Sequence, residues 1–357
     1  MRRVRLGDVC EVVSGSTPKT TIPEYWDGDI DWITPAELSD DSYIINDSVR
    51  KITDLGVQNT GLKSFPKGTV ILSSRAPIGK VAIAGKPMYC NQGFKNLICG
   101  EAIIPEYLYW FLKGNTEYLN SLGRGATFKE ISKKIVENIE IALPDKECQV
   151  HAVAVLVKCW EVMQKRKAEL AQLDELIKAR FVEMFVDKDY PLLKWSDVFN
   201  TTTGKLDSNA MVEDGAYPFF TCAKEVYRID QYAFDQEALL LAGNNAQGKY
   251  DVKYYNGKFN AYQRTYVLGL KGNWSYRLFQ YQLEDKLILL QQQSLGGLTK
   301  YLTLKILGEL EFIIPPEDKQ EEFEHFVAQV DKSKVAVQKS LEETQLLFES
   351  LMQKYFG

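Results

Sequence analysis

ECQVHAVAVLVKCWEVMQKRKAELAQLDELIKARFVEMF, residues 147–185, decides the architecture. Between Pro144 and Pro191 the chain has neither glycine nor proline. Leu170, Leu173, Ile177, Phe181 and Met184 fall at helical steps, while Lys165, Arg166, Lys167, Glu169, Asp174 and Glu175 keep the other faces polar. At ~1.5 Å rise per residue this is a helix on the order of 60 Å long, against ~11–12 residues for an average globular helix. Its apolar stripe needs a partner. Residues 318–356 supply one: Phe323, Phe326, Val330, Val337, Leu341, Phe348, Leu351 and Tyr355 keep 3- and 4-residue steps or their sum, as a coiled-coil pair requires.

Outward from that helix, the chain repeats itself. A shift of 171 residues sets Lys134, Ile135, Glu140, Pro144 and Gln149 on Lys305, Ile306, Glu311, Pro315 and Gln320. The same shift sets Leu170, Leu176 and Phe185 on Leu341, Leu347 and Phe356. At the front of each half, LGDVCEVVSG (6–15) resembles WSDVFNTTTG (195–204), aligning Asp8, Val9 and Gly15 with Asp197, Val198 and Gly204 at a shift of 189. Between these anchors Gly79 and Asn91 meet Gly248 and Asn260 at a shift of 169. A period this long marks duplicated domains rather than the ~20–50-residue units of a solenoid. The expected fold is therefore mixed α/β (α+β) with internal duplication: a domain over 1–146, a long helix over 147–186, a second domain over 187–317 and a second long helix over 318–357.

Within the domains, Thr69–Ser73 and Val81–Ala84 read as short buried strands joined by a turn at Ala76–Gly79. Ala238–Ala242, a turn in Gly243–Gly248 and the aromatic alternation of residues 254–266 repeat the arrangement. Glu106–Leu122 reads as a helix, and Asn138–Leu143 and Glu309–Ile314 as last strands, each stopped by proline.

A length of 357 residues fits two or three domains, and 45% hydrophobic with 25% charged residues is ordinary globular composition. No run approaches the ~18 apolar residues of a membrane span. The opening MRRVRLGDVCEVVSG lacks the apolar core of a signal peptide, so a cytoplasmic protein without membrane association is expected. Six cysteines without CxxC or CxxxC spacing indicate neither a zinc site nor a disulfide framework.

The net charge of −5 argues at first against a nucleic-acid partner. Its distribution argues for one. From Leu62 to Cys99 stand Lys63, Lys67, Arg75, Lys80, Lys86 and Lys95 with no acid, and from Leu239 to Leu283 stand Lys249, Lys253, Lys258, Arg264, Lys271 and Arg277 against Asp251 alone. A charge run is often only a solvated face, but here two occur at matching places in two halves.

Catalytic signals are sparse. SSRAPIGK (73–80) lacks the first glycine of a phosphate loop and has Val81 where a metal-binding hydroxyl would stand. His151 and His325, the only histidines, both fall inside the long helices. No Asn/Asp-Pro-Pro-aromatic tetrad of an amino-methyltransferase is present, so the chain is not expected to be an enzyme or to hold a metal or cofactor. What remains suits a nucleic-acid reader. Arginine forks match guanine, Asn and Gln amides match adenine, and lysines anchor phosphates. The candidates are Ser74, Arg75, Lys80, Asn91, Gln92, Lys95, Arg124, Thr127 and Lys129 in the first half. In the second they are Asn244, Asn245, Gln247, Lys249, Gln263, Arg264, Thr299 and Lys300. For Asn244-Asn245 beside Gly243, turn chemistry is the competing reading.

Each half closes with a glycine-rich segment, an alternation of aliphatic residues ending in proline, and a long helix. Gly125-Ala126-Thr127 through Ile135, Ile139, Ile141 and Pro144 carry this in the first half, and Gly297-Leu298-Thr299 through Ile306, Leu310, Phe312 and Pro315 in the second. With Leu6-Gly7-Asp8-Val9, Ser14-Gly15, and Gly68-Thr69-Val70-Ile71 with Gly79, the whole chain resembles the specificity subunit of type I restriction–modification systems. That resemblance implies two target-recognition domains, each reading one half of a gapped double-stranded DNA site. It implies that the long helices pack antiparallel as a spacer with pseudo-twofold symmetry. It also implies two modification (methyltransferase) subunits docked on them and restriction/translocase subunits joining that core. S-adenosylmethionine, ATP and magnesium would then belong to the partners. The copies differ in places: Pro316-Glu317 replaces Asp145-Lys146, and Phe199 stands where the first copy has Cys10. A protein–protein scaffold with incidental basic surface, or a methyltransferase with unrecognised motifs, remain the alternative readings.

Overall fold

The computed structural model describes residues 2–125, 129–246 and 248–357. The two long helices span Lys146–Phe185 and Glu317–Phe356. They do not stand apart as separate bodies. One compact unit comprises residues 1–166 with 340–357, and the other comprises 167–339, so each unit takes a segment from both helices. The reason is the apolar stripe, which each segment spends on the core beside it. In the first unit Ala152 and Leu156 are buried among Val136, Ile139 and Trp110, while Phe348, Leu351 and Met352 pack against the same core. In the second, Ile177, Phe181 and Phe185 close on Phe323, Val327 and Val330. There the segments run antiparallel, since Asp174 pairs with Lys334 at 2.6 Å and Arg180 with Glu322 at 2.6 Å. Among the described residues no helix is long and apolar enough to cross a membrane.

The first unit holds a five-stranded sheet in the spatial order Cys10–Ser14, Lys95–Cys99, Val70–Leu72, Val81–Ala84, Ile44–Ile45. The second holds a six-stranded sheet beginning Phe199–Thr203, Thr265–Leu270, Phe234–Ala242, Val252–Ala261. Their registers coincide: Cys10 faces Cys99 as Phe199 faces Leu270, and Val70 faces Leu97 as Leu239 faces Leu268. A parallel contact recurs as well, Ile33 with Cys90 and Phe220 with Ala261. In separate two-stranded sheets, Arg2–Arg5 pairs antiparallel with Glu140–Leu143, and Leu192–Lys194 with Glu311–Ile313.

These ladders correct one equivalence. Leu72 faces Val81 as Leu241 faces Val252, so the shift grows from 169 to 171 inside the intervening turn, which is two residues longer in the second half. Asn91 therefore corresponds to Tyr262 rather than Asn260: Asn91 N donates to Ile33 O and Tyr262 N to Phe220 O. Asn260 is a buried strand residue whose amide donates to Gln231 O at 3.0 Å. The helix expected over 106–122 is divided into Pro105–Gly114 and Thr116–Ser121, with the Asn115 amide donating back to Phe111 O where the first segment ends.

One buried polar residue anchors each long helix. Gln149 accepts from Ile104 N (3.0 Å) and donates to Ala102 O (3.0 Å) and Pro144 O (2.9 Å). Gln320 accepts from Ser275 N (3.0 Å) and donates to Pro315 O (2.8 Å). A buried amide is stable only when its donors and acceptors are met, and these bonds tie the helix start to the neighbouring strand and helix.

Candidate nucleic-acid interface

Three loops meet at one end of each sheet through the same backbone net. In the first unit Ser74 N donates to Gly93 O (2.8 Å), Ile131 N to Ser74 O (2.9 Å), and Arg124 and Glu130 exchange bonds of 3.1 and 3.0 Å. In the second, Gly243 N donates to Arg264 O (2.9 Å), Leu302 N to Gly243 O (2.8 Å), and Leu295 and Tyr301 exchange bonds of 3.1 and 2.9 Å. Residues 74–80, 91–95 and 124–131 thus correspond to 243–251, 262–266 and 295–302. The candidates expected from sequence fall on these loops, Thr127 and Gln247 lying outside the described residues.

The side chains on that common net differ. In the first unit Glu130 binds Arg75 Nε at 3.0 Å and Lys95 Nζ at 3.2 Å. Burial alone would raise the Glu130 carboxyl, but hydrogen bonds and charge from Arg75 and Lys95 outweigh it and hold the group below the usual carboxylate range. Exposure rises outward along the trio, from 9% for the Lys95 side chain to 35% for Glu130 and 46% for Arg75. In the second unit the equivalent positions are Asn244, Tyr266 and Tyr301. The Tyr266 hydroxyl donates to Leu302 O at 3.1 Å, and burial raises its pKa. Asn244 and Asn245 pair along the backbone with Tyr301 and Lys300, and Asn245 Oδ1 accepts from Lys249 N at 3.2 Å.

Several candidates have side chains engaged within the chain. Ser74 is fully buried because its backbone ties two loops together. Lys95 is buried with its charge spent on Glu130. Lys80 reaches back to Leu38 O at 2.5 Å, and Asn91 Oδ1 accepts from Gly93 N at 2.9 Å to shape its own turn. Gln92 accepts from the Thr17 hydroxyl, and Gln263 donates to Asp207 at 3.2 Å, both at the surface. Arg75, Gln92, Arg124, Lys129, Lys249, Gln263, Arg264 and Thr299 are exposed, and Asn244, Asn245 and Lys300 half-buried. The basic windows are also less bare in space than along the chain. Lys86 pairs with Asp31 at 2.6 Å and Arg277 with Asp331 at 2.6 Å.

Glu130, Tyr266 and Tyr301 were not among the expected residues. A signal for Glu130 did exist: a lysine in a buried strand (FKNLIC, 94–99) with no acid within its own window needs a carboxylate from elsewhere, and the polar segment ending at Glu130 provides one. Beside Glu130 lies an open cavity of about 500 Å³, lined by Tyr118, Arg124, Ser132, Lys134 and Asn138 among others.

Two copies of one sheet-and-helix unit, each presenting three loops that keep their backbone and vary their side chains, define an internally duplicated protein. The chain belongs to the type I restriction modification DNA specificity domain family, whose model matches residues 1–172 and 188–345. It is 41% identical over 186 residues to the type I restriction enzyme MjaIX specificity subunit of Methanocaldococcus jannaschii, covering 51% of this chain and 43% of that one. It is 34% identical over 157 residues to the EcoDI specificity subunit of Escherichia coli, covering 42% and 34%. The matched region thus spans less than half the length of either relative. The fold is shared with the S subunit of a type I restriction–modification system from M. genitalium, at TM-score 0.62 and 16% identity over 100% of this chain and 96% of that one. A chain solved in work on complex assembly and conformational transition of the type I R-M system gives TM-score 0.58 at 18% identity, over 99% and 97%.

Proposed function

We propose that this chain is the non-catalytic specificity subunit of a type I restriction–modification complex, each unit reading one half of a gapped, two-part DNA site. The observation that carries this reading is the duplicated three-loop surface, with one backbone net and two different sets of side chains. A scaffold of fixed geometry with exchangeable side chains is what base-edge readout asks for, while exposed cations such as Arg124, Lys129, Lys249 and Arg264 supply sequence-independent phosphate attraction.

In this reading the long helices act as an antiparallel coiled-coil spacer, because each contributes a segment to both units. Their remaining exposed faces receive two methyltransferase subunits, on which restriction/translocase subunits assemble. The chain itself binds no cofactor; S-adenosylmethionine, ATP and magnesium serve the partners.

Methylated adenines mapped in cells carrying this chain with its partner subunits will define a two-part motif with a fixed gap. Exchanging residues 1–146 for those of a relative will change one part only. Removing one helical turn between residues 160 and 180 will change the gap and leave both parts intact. A single contiguous motif, or a gap indifferent to that deletion, would sink the reading.

A further inference from the structure

We propose that Arg75 is a specificity-determining residue that reads a guanine in the half-site bound by the first unit, and that Glu130 is the positioning residue that aims it. The inference rests on the preceding reading and names the contact within it.

The argument starts at the backbone. Arg75 and Glu130 face each other in an isolated bridge, and the adjoining Ser74 is locked by bonds to Gly93 and Ile131, so the guanidinium leaves from a fixed base. Glu130 takes the Nε edge of Arg75 at 3.0 Å, which leaves the two terminal nitrogens as an outward fork. The acid is itself held by Lys95 Nζ at 3.2 Å, and that ammonium also reaches Ser74 Oγ at 3.4 Å. Orientation thus runs from a buried lysine through a half-buried carboxylate to an exposed guanidinium.

Two partners could receive that fork, and electrostatics chooses between them. A carboxylate held against the guanidinium would repel a phosphate and cancels part of the charge that attracts one. Against a base edge the same carboxylate meets no formal charge and repels far less. It also limits the rotamer freedom lost on binding. Guanine offers two adjacent acceptors, O6 and N7, which match a planar fork bidentately. Lysine presents a compact point charge in place of that planar fork. The second unit has Asn244, Tyr266 and Tyr301 at these positions, so it serves as an internal control.

The test maps adenine methylation in cells carrying the partner subunits and the full chain with Arg75→Lys, Glu130→Gln or no change. The wild-type motif should contain an invariant G·C pair in the first unit's half. Arg75→Lys should relax that one position by on the order of tenfold or more while the other half stays unchanged. Glu130→Gln should relax the same position, with the rest of the motif retained, which a merely structural role would not produce. In binding assays with the assembled complex, the salt dependence of affinity should be the same for Arg75→Gln and wild type, since no phosphate contact is lost. A two-part motif that Arg75→Lys leaves unaltered overturns this inference alone. So does a Glu130→Gln variant that degrades both halves equally. A wild-type chain yielding no two-part motif removes the DNA-reading role and this inference with it.

Discussion

The two loop clusters share a backbone and differ in chemistry. Residues 75, 95 and 130 form a charged chain of arginine, lysine and glutamate, whereas 244, 266 and 301 are asparagine and two tyrosines. The bonds Ser74–Gly93 and Gly243–Arg264, and Ile131–Ser74 and Leu302–Gly243, are nonetheless the same bonds. Backbone groups there are satisfied by backbone, so the side chains above them are free to vary without loosening the loops. The buried glutamines make the opposite case. Gln149 and Gln320 are the same residue in both halves because their amides complete backbone valences that no other side chain of that size would complete. Invariance between the copies marks the scaffold, and divergence on an invariant backbone marks the surface proposed to read DNA.

The sharpest way to break this division is at the glycines where each front strand ends. A Cβ on Gly204 would lie 1.7 Å from Ala261 O, and one on Gly15 2.1 Å from Cys90 O. The obstacle in each case is backbone of the sheet and cannot rotate away. Gly204→Ala and Gly15→Ala should each cost about 3 kcal/mol or more, an overpacking penalty without a side-chain escape. Hydrogen exchange resolved by unit should show the loss confined to the unit that carries the change. Equal protection in mutant and wild type would mean that the crossing is not shared scaffold.

A smaller effect should separate the two glutamines. Gln149→Ala strands Ile104 N–H together with the carbonyls of Ala102 and Pro144, and should cost roughly 2–3 kcal/mol. Gln320→Ala strands Ser275 N–H and Pro315 O, and should cost about 1–2 kcal/mol. Chemical denaturation followed in each unit would check the order. A reversed order would show that the anchors are not equivalent.

Much of the scaffold was legible because it rests on periodicity and on punctuation. Forty-residue helices announce themselves through apolar steps uninterrupted by glycine or proline, and the last strands through the prolines at 144 and 315. The compact units were not legible. Whether a helix belongs to the domain before it or is shared between two depends on which residues its stripe meets, and Phe348 meeting the first core is a contact across more than 150 residues of chain. The equivalence of Asn91 slipped by two residues for a similar reason, since length differences inside a turn leave no trace until a ladder fixes the register. On the three loops, residue type pointed to candidates but said nothing of their exposure. Ser74 and Lys95 have the right chemistry and are buried. Glu130 has the wrong charge for a DNA contact, and its role emerges only from the two cations it holds.

The smallest predicted effects set two carboxylates of the two units against each other. Glu130 in the first unit has a lowered pKa. Its contribution to stability is therefore complete above the ordinary value of about 4.5 and is lost as pH falls through the lower folded value. Glu284 in the second unit is shifted the other way: burial raises it, its hydrogen bond with Gln280 opposes that, and Asp251 adds to the rise. Its contribution is present below about 4.5 and is lost as pH rises through the raised value, so at higher pH the half-buried group is a liability. Glu284→Gln should therefore stabilise the second unit at neutral pH and do nothing for it near pH 4. Glu130→Gln should weaken the first unit at neutral pH by about 1 kcal/mol or less, because the pair is partly screened, and should converge with wild type in acid. Melting curves from pH 4 to 8, read by hydrogen exchange in each unit, would test both signs at once. If both variants moved stability in the same direction at pH 7, the charged cluster of the first unit would not be a balanced ion network, and the contrast between the two loop clusters would reduce to polarity alone.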